Sequence, residues 1–366
     1  MVRFAFELSK EHETLPKAEV LACLNALGIQ FSEEIADFGF LLLDLKIKEA
    51  EAMKISACLA SRLGMTHRIY IVLGAGESLR EIAEVAKKAP IEAFFDGKKT
   101  FAVRVRRLSA RAFASSSSYI EREIGDILRR RGLKVDLNEP FRTFVVLLTG
   151  RIAFFSVLSH SIDKKQFQSR KPSLRPFSRP ISIQPKLARV IVNLSEVRAG
   201  EVLLDPFCGT GGILMEASAI GARAVGVDIQ QEMAKGACKN IEFYGLNAEF
   251  IVGDAQELPI RDESVDAIAT DFPYGRSSFV SSTQDPKQRN SSTATTDTIT
   301  PPNLRRLWSS ALEEMNRVLK PGRKAVVVSH APLFPLLRSA EMNAVECHKY
   351  RVHKSLSRYI TVLRKA

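Results

Sequence analysis

Four apolar runs in the second half of the chain each end in an acidic residue: LLD at Asp205, VGVD at Asp228, VGD at Asp254 and ATD at Asp271. The first runs on into PFCGTGG, with Gly209, Gly211 and Gly212, and then into ILMEA, which reads as a helix. A strand, a glycine-rich turn and a helix N-terminus together let backbone approach a ligand closely and favour an anionic group. That junction alone fits any nucleotide fold, nicotinamide dinucleotides included, and the later acids narrow the choice. Asp228 follows Asp205 by 23 residues and is placed to accept hydrogen bonds from both hydroxyls of a ribose. Asp254 can reach an adenine amino group. Acids at four strand ends of one sheet point to S-adenosylmethionine (SAM).

The elements that must position these residues alternate regularly. Strands are expected at 201–207, 224–229, 249–252, 265–270 and 324–329, with helices at 212–220, 231–244 and 303–319, and two closing strands near 345–352 and 358–363. This is the pattern of a doubly wound α/β sheet whose ligand lies at the carboxyl ends of its strands. Trp308 sits at helical spacing from apolar partners and reads as core. His353, Ser355 and Arg358 fit either a rim of the site or a solvated turn. The Ser/Thr-rich stretch 277–300 reads as a long loop beside the fourth acid.

The first half reads differently. Strands at 1–8, 36–45 and 67–73 with helices at 17–27 and 49–59 suggest a small α+β unit of ferredoxin-like type. A helix at 77–89, a strand at 100–107, a helix at 119–131 and a hairpin of 143–148 with 152–158 form a second. Alternation in 101–107 sets Phe101, Val103 and Val105 against Arg104 and Arg106. The expected organisation is therefore 1–68, 69–160, a basic proline-rich linker at 161–182, and an α/β domain at 183–366.

Charge is unevenly spread. Residues 1–60 carry a net −4, residues 61–189 a net +15 and residues 190–366 a net +1. KKTFAVRVRRLSAR holds six basic residues and no acid, and 164–189 holds eight basic residues, four prolines and no acid. An excess confined to the middle third is the footprint of a polyanion-binding region. Lys98, Lys99, Arg104, Arg106, Arg107, Arg111, Arg151, Lys171 and Arg175 are the candidate RNA contacts, and a fragment starting near Gln184 should keep SAM but lose RNA. Five scattered cysteines without a CxxC, and six histidines without a cluster, give no metal site. No apolar run reaches the roughly 18–20 residues that span a bilayer. Acidic residues in MVRFAFELSKEHE stand where a secretion signal would be apolar, so the expectation is a cytoplasmic protein without membrane association.

DPFCGTGG followed by VGVDI, GDA and DFPYG resembles the motif set of class I SAM-dependent methyltransferases acting on amino nitrogens. RPFSRPISIQPKLARVIVNL and VHKSLSRYITVLRK resemble one subgroup, the archaeal tRNA (guanine-10-N2) methyltransferases and their eukaryotic relatives. The resemblance implies a seven-stranded methyltransferase domain preceded by ferredoxin-like and THUMP domains. It implies that Asp205, Gly209, Thr210 and Gly211 hold the methionine end of SAM, that Asp228 and Ile229 contact ribose and adenine, and that Asp254 and Ala255 sit at the adenine edge. It places Asp271, Phe272, Pro273 and Tyr274 in the catalytic loop. There the Asp271 carboxylate and the Phe272 carbonyl would hydrogen-bond the two protons of the guanine 2-amino group, and the Tyr274 ring would stack on the extracted base. Most relatives carry two prolines after the aspartate; Phe272 replaces the first, keeping its carbonyl and giving up its fixed φ. The implied partner is tRNA, with either a small zinc-protein activator, as in eukaryotic relatives, or a monomer working alone. Methylation of another tRNA or rRNA guanosine, adenine N6-methylation, and a non-catalytic SAM-binding RNA factor are the alternatives.

Overall fold

The computed structural model describes residues 1–108, 115–180, 182–274, 301–353 and 356–366. Arg111, Ser355, the side chain of His353 and the expected loop at 277–300 lie outside the described residues. The chain divides into two compact units, Met1–Asp163 and Lys164–Ala366.

The first unit holds β1 (Val2–Leu8), α1 (Leu15–Ala26), β2 (Phe31–Asp37), β3 (Phe40–Leu45), α2 (Ala52–Arg62) and β4 (Thr66–Gly76). It continues with α3 (Leu79–Lys88), β5 (Thr100–Arg107), α4 (Ser117–Arg130), β6 (Lys134–Val135), β7 (Arg142–Leu148) and β8 (Ala153–Ser161). The single strand expected at 36–45 is instead a hairpin that turns at Gly39, whose φ of +91° suits a residue without a Cβ. Its outer strand β2 is an exposed edge with the sequence FSEEIAD, too polar to announce itself. The two expected domains also share one sheet, ordered β2-β3-β1-β4-β8-β7-β5-β6. β4 pairs with β1 on one side and β8 on the other, so the sheet runs unbroken past residue 68. Ser78 and Ser116 cap α3 and α4, each accepting the backbone N–H three residues on.

The second unit holds α5 (Lys165–Ser169), α6 (Pro185–Leu194), β9 (Val202–Asp205), α7 (Gly212–Ala219), β10 (Arg223–Asp228), α8 (Gln231–Phe243) and β11 (Ala248–Val252). β12 (Ala267–Asp271), α9 (Pro302–Val318), β13 (Lys324–Ser329), β14 (Met342–His353) and β15 (Leu356–Lys365) complete it. Its seven strands run β11-β10-β9-β12-β13-β15-β14. The first five are parallel, and β15 inserts antiparallel between β13 and β14. Strand order reverses between β9 and β12, the switch point at which ligands of such sheets bind. Trp308 on α9 is 1% exposed and packs in the core against Phe272.

The basic segment expected to be a linker is built into this second unit. Arg170 donates from Nε to Glu216 (2.7 Å), and the fully buried Arg189 meets the other oxygen of the same carboxylate (2.8 Å). Phe177 donates its N–H to Asn240 (2.9 Å), and its ring lies so close to Gly236 of α8 that any Cβ there would collide with it. Tyr244 donates to the Ser169 carbonyl (2.9 Å). A fragment starting at Gln184 would therefore strip away part of its own fold, and the unit begins at Lys164. Glu216 is 1% exposed, so removing its carboxylate takes away an acceptor shared by two guanidiniums, one of them fully buried. Glu216→Ala should cost about 3–5 kcal/mol in chemical denaturation. A loss below about 1 kcal/mol would mean that the basic segment is not held by this triad.

Candidate active site

The parallel strands β10, β9 and β12 deliver Asp228, Asp205 and Asp271 to one edge of the sheet. Asp205 is 2% exposed and lies under the glycine turn, accepting from Thr270 Oγ1 (2.7 Å) and the Phe207 N–H (3.2 Å). Burial raises its pKa to about 7, with Asp271 and Asp228 adding repulsion. The aspartate thus ties β9 to β12 and shapes the turn above it. That turn runs through Gly209 and Gly211, and Gly211 caps α7 in the left-handed region at φ +76°. A Cβ there would also crowd Ala237 of α8 at 3.2 Å, so both the conformation and the close approach of α8 call for glycine. Thr210 is nearly buried, with Oγ1 3.2 Å from Ser182 Oγ and its carbonyl accepting from Asn240.

Asp228 accepts the N–H groups of Gly209 (3.0 Å) and Gln230 (2.9 Å), which locks the turn to the end of β10. Burial raises its pKa against those two hydrogen bonds. Next to it Ile229 is 65% exposed, and Val252 at the end of β11 is 53% exposed. Apolar surface left open at two strand ends beside a carboxylate suits an adenosine, whose ring packs on apolar groups and whose ribose hydroxyls need an acceptor. Asp254 accepts the Gln256 N–H (2.9 Å), and Ala255 is buried behind it. These residues fit SAM: the glycine turn would hold the methionine end, Asp228 the ribose, and Ile229, Asp254 and Ala255 the adenine.

Asp271 closes β12. Burial pushes its pKa up, while Arg358 and the Tyr274 hydroxyl pull it down. Tyr274 Oη donates to Asp271 Oδ1 (2.5 Å), Arg358 Nη2 lies 3.5 Å from Oδ2, and Arg358 Nε donates to Tyr274 Oη (3.1 Å). Burial and the neighbouring carboxylate raise the pKa of the Tyr274 phenol, keeping it a proton donor. Phe272 donates its N–H to the Val328 carbonyl (2.9 Å), and its 1%-exposed ring sits between Phe207 and Trp308 at 5.3 and 5.5 Å. Aromatic packing thus anchors the backbone of the loop at Phe272. Pro273 and Tyr274 are half-buried. His330, one residue past β13, stands edge-on between Tyr274 (5.5 Å) and Trp308 (5.0 Å). Its Nδ1 is buried without a hydrogen-bond partner among the described residues, and burial lowers its pKa, so it is a neutral wedge behind the tyrosine.

The candidate RNA contacts separate into groups. Lys98, Lys99, Arg107, Arg151 and Lys171 are exposed. Arg106 is committed to Glu7, which also accepts from Arg68 and Tyr70, and Arg104 donates to the Leu137 carbonyl (2.9 Å). Arg175 is a correction. It is 7% exposed, donates to the Arg170 carbonyl (3.0 Å) and lies against Gly212, so burial lowers its pKa to about 10 and withdraws it from any surface contact. Arg358 is settled by its 5% exposure: it belongs to the site and not to a solvated turn. The signal lay in RYITV, where Arg358 shares a face with the buried Ile360 and Val362. His330 had no comparable signal.

A sheet of this order, with a glycine turn at its first strand end and carboxylates at the next, defines a class I SAM-dependent methyltransferase. The chain matches the family described as RMKL-like, methyltransferase domain, over residues 172–285, and the THUMP domain over residues 76–158. It is 35% identical over 366 residues to the tRNA (guanine(10)-N2)-dimethyltransferase of Methanothermobacter thermautotrophicus, spanning 98% of each chain. It is 34% identical over 306 residues to the Pyrococcus abyssi protein of the same name, spanning 82% of this chain and 84% of that one. In fold it is similar to TrmN from Thermus thermophilus, with a TM-score of 0.52 and 21% identity over the full length of both chains. The chain belongs to the archaeal THUMP-domain tRNA (guanine(10)-N2)-dimethyltransferase family.

Asp228→Ala removes the carboxylate that anchors the turn and would accept hydrogen bonds from the ribose hydroxyls. SAM titration calorimetry should show a loss of about 1–3 kcal/mol, the range for hydrogen bonds to a charged group. Unchanged affinity would move the ribose site elsewhere.

Proposed function

We propose that the chain transfers methyl groups from SAM to the 2-amino group of guanosine 10 in tRNA, with N2,N2-dimethylguanosine as the final product. The observation that carries this is the half-buried Asp271 carboxylate, held by Tyr274 and Arg358 at the switch point, one strand from the glycine turn. The relatives that share nearly the whole chain carry the substrate in their names. Bound SAM supplies a methyl group on a positively charged sulfur, ready for direct displacement. The protein's task is then to make a poor nucleophile attack. The guanine amine is delocalised into its ring, and two acceptors on its protons, the Asp271 carboxylate and the Phe272 carbonyl, turn its lone pair toward the methyl group. The anchored Phe272 ring keeps that carbonyl in place, and the Tyr274 ring offers a face for an extracted base. Asp271 can accept the proton released as the N–C bond forms; its raised pKa suits that step.

The exposed Lys98, Lys99, Arg107, Arg151 and Lys171 are proposed to hold the phosphate backbone of the tRNA. The domain division proposed for this reaction is an RNA-binding unit through Asp163 and a catalytic unit from Lys164. We further propose that the chain works in the cytoplasm as a monomer, with a small zinc-protein activator as the alternative. Among the described residues no helix is long and apolar enough to cross a membrane, and no group of His, Cys, Asp and Glu could hold a metal.

The test is incubation of the purified chain with labelled SAM and an unmodified tRNA transcript, followed by nucleoside analysis. Label should pass through N2-methylguanosine into the dimethyl product at position 10. Asp271→Ala should lower the single-turnover rate by about 10²–10⁴-fold, the scale for a positioned acceptor or base, with SAM and tRNA still bound. A folded Asp271→Ala variant of wild-type rate would remove this residue from the mechanism.

A further inference from the structure

We propose that Arg358 is a positioning residue for methyl transfer. In this reading it grips Asp271 by Oδ2 and the Tyr274 hydroxyl by Nε, and the tyrosine holds the place on Oδ1 that the substrate amine takes over. This rests on Asp271 being the amine's acceptor.

The three groups form a closed ring: Arg358 Nη2 to Asp271 Oδ2 at 3.5 Å, Tyr274 Oη to Asp271 Oδ1 at 2.5 Å, and Arg358 Nε to Tyr274 Oη at 3.1 Å. The guanidinium also lies 5.9 Å from the centre of the tyrosine ring. Arg358 comes from β15, the antiparallel strand beside β13, so the ring ties the end of β12 to a strand that is not its neighbour. A buried guanidinium persists only when paired, and here its pairing is spent on two residues of the catalytic loop.

Without substrate, the Tyr274 hydroxyl occupies one of the two acceptors that the amine needs. The arriving amine donates an N–H to Oδ1 and the phenol withdraws its own donation. The phenol oxygen keeps the hydrogen bond it accepts from Arg358 Nε, so the tyrosine can swing its ring toward the base with its oxygen still tethered. The exchange replaces one hydrogen bond by another and moves no proton. Throughout, Arg358 remains on Oδ2 and keeps the half-buried carboxylate charged. The other groups facing this cluster are Asp205 on β9, which disfavours the charge, the neutral His330 after β13, and Tyr350 on β14, opposite Arg358.

The sign of the pH effect follows. Arg358 lowers the pKa of Asp271, so losing it raises that pKa and moves the acidic limb of the rate profile to higher pH. The experiment compares Arg358→Gln, Arg358→Lys, Asp271→Asn and the double variant Asp271→Asn/Arg358→Gln in the full chain. Single-turnover rate against pH, SAM affinity and melting temperature are read on each. Arg358→Gln should lose on the order of 10²-fold in rate, with the acidic limb shifted up and SAM affinity unchanged. Arg358→Lys, which keeps the charge but not the two-pronged reach, should restore the limb and only part of the rate; it carries the test should the Gln variant not fold. In the Asp271→Asn background, Arg358→Gln should add little further loss. An unmoved limb in Arg358→Gln, or losses that multiply independently in the double variant, would overturn the proposal while leaving Asp271 in place. A wild-type rate in a folded Asp271→Ala variant, which keeps no acceptor oxygen, would instead remove the acceptor reading on which it rests.

Discussion

Parallel strands that end in step must present their last residues along one edge, and in the second unit those residues are acids. Asp205 pairs in register with Gly226, two residues before Asp228, and β12 lies on the other side of β9 with Asp271 at its tip. Burial raises the pKa of all three carboxylates. Each has its own compensation: Thr270 and a backbone N–H for Asp205, two backbone N–H groups for Asp228, and Arg358 with Tyr274 for Asp271. The glycine turn exists in its observed shape because Asp228 holds Gly209 and Asp205 holds Phe207 from below. The catalytic loop does so because Phe272 is wedged between two aromatic rings. Both halves of the site therefore hang from the same strand ends.

This arrangement explains why charge is partitioned along the chain. A site that concentrates buried carboxylates is a poor place to attract a polyanion. The net +15 sits upstream, part of it spent internally: Arg106 on Glu7, and Arg170 and Arg189 on Glu216. Net charge thus overstates the cations left for RNA: Arg107, though exposed, also donates to the Ser115 carbonyl and to Ser117, and Lys98, Lys99, Arg151 and Lys171 are the other exposed candidates.

Much of this was legible from the residues because strand-end acids and glycine turns are local patterns. Asp205, Asp228, Asp254 and Asp271 each close an apolar run, and a run of that kind has few other ways to fold. What escaped depended on distant partners. Arg175 and Lys171 look alike in a basic stretch, yet one is buried beside Gly212 and the other exposed, a difference set by α7 and not by the neighbours in sequence. The buried face of Arg358 was readable in RYITV, but its partners depend on β15 inserting between β13 and β14, which no spacing within β15 reveals. β2 was missed because an exposed edge strand need not alternate, and the shared sheet of the first unit was missed because β4 serves both halves at once. Glu216 was the clearest unused signal: a lone acid inside the apolar GILMEASA helix calls for buried cations.

The central claim is that these strand ends act on one exocyclic amine. Replacing guanosine 10 of a tRNA transcript by inosine deletes that amine and leaves the rest of the nucleotide unchanged. Single-turnover methylation of the two transcripts should show transfer to the guanosine form and none to the inosine form, with equal binding of both. Methyl transfer to the inosine transcript at the rate of the guanosine one would contradict the account.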